Sequence, residues 1–172
     1  ELVANAPDVI VAYANPAASA LKSLTSTIPI VFTQVGDPVG SGYVTNLARP
    51  GGNITGFHSF EGAIGGKWLE ALKEIAPSVG RVAFVHDPRI VANVSYLRGA
   101  HSASGSLGVA VTPASVTSAA DIEREIGAFA QGANGGLVIA PAPTTFNERD
   151  LIITLAERWR LPTIYSFRFN VI

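Results

Sequence analysis

The sequence predicts an α/β chain in which parallel sheets are wound on both faces by helices and divided into two lobes. Three observations lead there. Short apolar runs rich in Val and Ile recur along the chain, and stretches with helical apolar periodicity lie between them. Strand and helix alternate so regularly that crossovers must join the strands, which makes the sheets parallel. The alternation breaks once, in the Gly- and Pro-rich residues 34–60, so two sheets are expected rather than one. The division falls at residues 1–58 for the first lobe and 59–172 for the second.

Taken in order, Asp8–Tyr13 (DVIVAY) reads as a buried strand. Asn15-Pro16 then reads as a helix start, Asn as N-cap and Pro at the first helical position, opening a helix to about Ser26. Ile28–Thr33 is the next strand, and it runs into a loop dense in Gly, Pro and Asp. Within that loop Val44–Leu47 fits a single helical turn, and Arg49-Pro50-Gly51-Gly52-Asn53 is a strong turn. Ile54–Phe60 is a short strand.

The second block opens with a helix over Lys67–Ile75, whose Trp68, Leu69, Leu72 and Ile75 share a face. Arg81–His86 is a strand and Asp87-Pro88 a turn. Ala92–Leu107 is a helix closed by Gly108. Val109–Val116 is a strand. Ser118, with Asp121 three residues on, caps a helix over Ala119–Ala130. Gly136–Ala140 is a strand broken by Pro141-Ala142-Pro143, followed by a helix over Thr145–Trp159 and a last strand, Leu161–Tyr165.

Composition narrows the function. Hydrophobic residues make up 48% of the 172-residue chain and charged residues 15%, enough apolar material for a sizeable core. The net charge of −1 and the lack of a basic block argue against a nucleic-acid partner, whose binding rests on clustered Lys and Arg. No apolar run approaches the ~20 residues that span a bilayer. Cys is absent, which removes disulfides and thiolate chemistry. Met is absent too, and the apolar FRFNVI stops abruptly. The expectation is an interior section of a longer protein, cut at both ends.

Several motifs fail. Gly62–Lys67 (GAIGGK) has Glu61 and Trp68 where a phosphate loop needs Gly and Ser or Thr, so it reads as a Gly-softened helix start. Gly51–Gly56 (GGNITG) precedes a strand, not a helix, which disfavours a dinucleotide. His58, His86 and His101 are too scattered to form a metal motif, and there is no G-x-S-x-G elbow. No cofactor, metal or catalytic residue is expected. Candidates for binding sit where strands end, because open α/β sheets take ligands beyond the carboxyl ends of their strands. Asp37 and Asp87 each follow a strand as Asp-Pro, which serves a turn or lines a ligand. Asn15 stands at a helix N-terminus, where free N–H groups and the helix dipole attract a carboxylate or phosphate; capping alone is the other reading.

The wording of the chain is also specific. Ile28–Val39 (IPIVFTQVGDPV), Leu47–Gly56 (LARPGGNITG) and Pro7–Lys22 resemble the substrate-binding proteins of bacterial ABC transporters, in the subfamily tied to aromatic amino acids and similar solutes. Leu69–Pro77, Arg81–Pro88 and Arg158–Tyr165 match more loosely. The resemblance implies the type I periplasmic-binding fold, two α/β lobes with a small solute in the cleft between them, the first lobe here incomplete. It implies a solute-binding component of an importer, periplasmic or extracellular and lipid-anchored, with an ABC permease as partner. Ligand contacts would come from Tyr13, Ala14 and Asn15; Gly36 and Asp37; His86 and Asp87; Pro141, Ala142, Pro143 and Thr144; Ser166 and Phe167. Many relatives carry an Asn-Pro turn after the strand equivalent to Arg81–Val85, whereas this chain has His86-Asp87-Pro88-Arg89, so ligand choice is expected to differ. A ligand-sensing regulatory domain of the same fold is the alternative.

Overall fold

The computed structural model describes residues 2–168. The chain gathers into two compact units. The first holds the residues up to Glu61 together with Ile90–Ser95, and the second holds Gly62–Arg89 and the residues from Tyr96 onward.

In the first unit a 3-10 turn, Val3–Asn5, precedes strand β1 (Ile10–Tyr13), helix α1 (Ala14–Leu24) and strands β2 (Ile30–Val35) and β3 (Ile54–His58). The sheet order is β1-β2-β3, all parallel, with Ile10 opposite Ile30 and Ile30 opposite Ile54. Strand alternation sends Ile10, Ala12, Ile30, Phe32 and Ile54 to one face. There they are buried with Ala18 of α1, and Ala17 and Leu21 pack at the margin. Val11 and Tyr13 fall on the alternate positions and are exposed, as is Phe57.

The second unit comprises helix α2 (Ile64–Ile75), strand β4 (Arg81–His86), most of helix α3 (Val91–Leu107), strand β5 (Ala110–Ser115), helix α4 (Ala119–Phe129), strand β6 (Gly135–Ile139), helices α5 (Pro143–Asn147) and α6 (Arg149–Arg158), and strand β7 (Thr163–Tyr165). Its sheet order is β5-β4-β6-β7, all parallel. β4 and β6 are almost entirely buried, as central strands covered on both faces must be. Ala83, Val85, Leu137 and Ile139 pack against Ile122 and Ile126 of α4 and Ile152 and Leu155 of α6. On the other face Trp68 of α2 stacks edge-on to Tyr96 of α3 at 5.4 Å and lies 6.3 Å from Phe84.

That second face explains GAIGGK. A Cβ on Gly65 would sit 1.9 Å from the Tyr96 carbonyl oxygen, and one on Gly99 2.1 Å from the Gly62 oxygen. The glycines let α2 and α3 touch backbone to backbone.

Two separate parallel sheets, and most elements, lie where the sequence puts them. Ser118 accepts from the Asp121 N–H at 3.2 Å, and Gly108 ends α3 with φ 61°. Four readings need correction. Asn15 is not an N-cap: α1 begins at Ala14, Tyr13 occupies the cap position without a side-chain bond, and the Asn15 side chain is engaged elsewhere. β2 starts later and ends later than expected. The Thr25 hydroxyl and the Asn53 amide hold residues around Ile28 in a turn, and the strand continues through a bulge at Gln34 to buried Val35. Val44–Leu47 is not helical, because Thr45 bonds forward to the Pro50 and Arg49 carbonyls and closes a loop. The helix expected over Thr145–Trp159 is two helices. The first starts at Pro143, where a proline lacking an N–H is favoured, and Glu148 (φ −98°, ψ 24°) breaks the run.

Candidate functional site

The expected site residues fall into two groups, one in each unit. In the first, parallel pairing of β1 with β2 brings Tyr13, Ala14 and Asn15 beside Gly36 and Asp37. The Asn15 amide makes a two-way bond with Gly36: Nδ2 donates to its carbonyl at 2.8 Å, and Oδ1 accepts from its N–H at 2.8 Å. Nδ2 also reaches the Ser41 hydroxyl at 3.3 Å, and the Tyr43 hydroxyl donates to the Asn15 carbonyl at 3.0 Å. A primary amide has both a donor and an acceptor edge, which is what closing such a ring on a backbone unit needs.

The backbone of this edge is strained. Ala14, Gln34 and Asp37 have φ of 61°, 55° and 45°, a region that L-residues with a Cβ seldom adopt. Asp37 is held by accepting from the Gly40 N–H at 3.0 Å, while its own N–H donates to the Phe60 carbonyl at 3.0 Å. Strain of this kind collects at ligand-contacting edges, where packing fixes it.

In the second unit the order β4-β6-β7 sets the ends of three neighbouring strands side by side. His86 ends β4 and Asp87 follows it, Pro141–Thr144 come after β6, and Ser166 and Phe167 after β7. Asp87 is only 2% exposed. Its Oδ1 accepts from the Arg89 N–H at 3.0 Å and from Arg89 Nε at 2.9 Å, and its Oδ2 from Nη2 at 2.6 Å. The Arg89 guanidinium, with smaller help from the Thr144 hydroxyl, holds the carboxyl below the usual aspartate range although burial opposes it. The contact with Thr144 ties the loop after β4 to the first turn of α5.

His86 is 3% exposed. Its Nε2 lies 3.3 Å from the Ser115 hydroxyl, and its Nδ1 is buried without a hydrogen-bond partner among the described residues. Burial pushes its pKa down, and the charge of Asp87 beside it pulls the other way. The ring is therefore neutral at physiological pH. Ser166 donates to the Ile139 carbonyl at 2.6 Å, fixing the turn after β7 to the end of β6. Buried Thr145 accepts from the Ala142 N–H at 3.0 Å and donates back to the Ala140 carbonyl at 2.8 Å, which shapes Pro141–Thr144.

Sequence reasoning missed Arg89, Thr145, Ser41 and Tyr43. Thr two residues after Pro143, at the third helical position, was a legible signal once Pro143 is read as a helix start. Arg89 left no signal in the sequence, because its bond to Asp87 forms only in the folded turn. A half-open groove of about 570 Å³ also runs along α6 and β7, past Arg149, Glu157, Arg160 and Tyr165, and none of the expected site residues lines it.

Together, the two parallel sheets place polar, backbone-held loops at their strand ends. The chain belongs to the family described as ABC transporter substrate binding protein, whose model matches residues 1–169. It is 24% identical over 169 residues to a tyrosine-binding protein of Clostridioides difficile, covering 96% of this chain and 47% of that protein. A crystal structure of a conserved domain protein from Vibrio cholerae superposes with a TM-score of 0.90 at 30% identity, over 99% of this chain and 56% of that one. An ABC domain from Streptococcus pneumonia in complex with L-Trp gives 0.90 at 23% identity, over 99% and 57%. The chain thus spans about half the length of the relatives it matches.

Proposed function

We propose that this chain is part of the solute-binding component of a bacterial ABC importer and takes an aromatic or other apolar amino acid. The carrying observation is the family match over residues 1–169, joined to relatives described as binding tyrosine and tryptophan. The strand-end loops supply the contacts: Tyr13, Ala14, Asn15, Gly36 and Asp37 in one unit, and His86, Asp87, Pro141 to Thr144, Ser166 and Phe167 in the other. Tyr13 and Phe167 offer rings for an aromatic solute. The protein works outside the cytoplasmic membrane, and its partner is the permease. Residues 1–58 and 59–172 act as its two lobes.

Native mass spectrometry of the protein purified from cells grown in rich medium tests this reading. An adduct with the mass of tyrosine, tryptophan or phenylalanine, exchanged on adding the free amino acid, is the expected result. An adduct of another chemical class would replace the ligand assignment.

A further inference from the structure

We propose that Arg89 recognises the carboxylate of the bound solute, and that Asp87 is the positioning residue that presents it. The proposal deepens the amino-acid reading above and rests on it. Arg89 lies in the loop after β4, a central strand, at the carboxyl end of the sheet, where Thr144 stands in the first turn of α5. Its Nε and one N–H of Nη2 are spent on Asp87. Asp87 is its sole partner among the described residues, so the outer edge of the guanidinium keeps its remaining donors, and the side chain is 65% exposed.

An exposed ion pair gains little stability on its own. Here, however, one partner is a nearly fully buried carboxylate that also binds the Arg89 backbone N–H and Thr144. That arrangement removes the rotamer freedom of a long side chain and fixes a planar fork. A fixed guanidinium fork matches a second planar carboxylate, which a lysine in its place would not. Because Asp87 balances the charge of Arg89, selection comes from directed hydrogen bonds rather than from net charge. The class recognised is a carboxylate, here the main-chain carboxylate of an amino acid.

The test compares each aromatic amino acid with its primary amide, by calorimetry on the complete polypeptide, in wild type, Arg89→Gln and Arg89→Lys. Wild type should favour the acid over the amide by about 10- to 100-fold, the span of one charge-assisted pair. Arg89→Gln should erase that preference, and Arg89→Lys should restore only part of it. A variant that merely loosens the loop would weaken acid and amide alike and keep the preference, which overturns the proposal while leaving amino-acid binding intact. A wild type that binds acid and amide equally also overturns it. A wild type that binds no amino acid overturns both this proposal and the reading beneath it. Apo melting temperatures report folding, and Arg89→Lys carries the comparison if Arg89→Gln fails to fold.

Discussion

Asn15 and Gly36 close a hydrogen-bonded ring, the Asn15 amide donating to the Gly36 carbonyl and accepting from its N–H, both at 2.8 Å. This ring joins the first turn of α1 to the end of β2. It holds the two loops of the first unit's candidate site in register. Replacing Asn15 by Ala leaves a buried Gly36 backbone short of both partners. The expected loss is about 1–3 kcal/mol, two ordinary hydrogen bonds less what water recovers. Urea unfolding of the apo protein measures it; an unchanged midpoint would mean the ring contributes nothing.

At Ala14, φ 61° puts a Cβ in the left-handed region. Glycine relieves that strain but frees the unfolded chain. The strain, about 1–2 kcal/mol, outweighs the entropy, about 0.5–1 kcal/mol. Ala14→Gly is therefore expected to raise the apo melting temperature. A fall would show that packing of the Ala14 methyl matters more than its backbone.

Gly65 sets two effects in opposition. Helix propensity alone favours Gly65→Ala by about 1 kcal/mol. The new Cβ, however, would meet the Tyr96 carbonyl at 1.9 Å, and backbone cannot swing aside as a side-chain end can. Overpacking of this kind costs about 1–3 kcal/mol or more, so the substitution should destabilise. Thermal unfolding decides the sign, and a stabilised variant would contradict the close α2–α3 contact.

His86 should make stability fall on the acid side. Its pKa is depressed in the folded protein, chiefly by burial, from an ordinary value of 6.5. Unfolding therefore takes up a proton below that value. The stabilisation is complete above about pH 6.5 and lost as pH drops beneath it. Asp87, also depressed, adds a second loss below the ordinary aspartate range near 3.8. Melting temperatures from pH 8 to 5 should decline in the wild type and decline less in His86→Gln. Parallel profiles would remove His86 from the account.

Much of the fold was legible because buried strands and amphipathic helices leave periodic traces. β4 and α4 are read within a residue, since RVAFVH is wholly apolar at its centre and Ser118 caps as its type dictates. What was not legible depends on tertiary partners. Asn15 has the composition of a cap, but Gly36, distant in sequence, claims its amide. Val35 joins β2 only because a bulge at Gln34 turns it into the core. The strand-end positions of the candidate site followed from topology, whereas the anchoring of Asp87 by Arg89 required the folded turn.

The central claim is that this protein captures an amino acid with an apolar or aromatic side chain. Isothermal titration calorimetry of the complete polypeptide with L-Trp, L-Tyr, L-Phe, L-Asp and L-Lys tests it most directly. Saturable binding of one molecule per protein, confined to the aromatic and apolar members, is the predicted result. Binding of L-Asp or L-Lys in preference, or no heat with any amino acid, would contradict it.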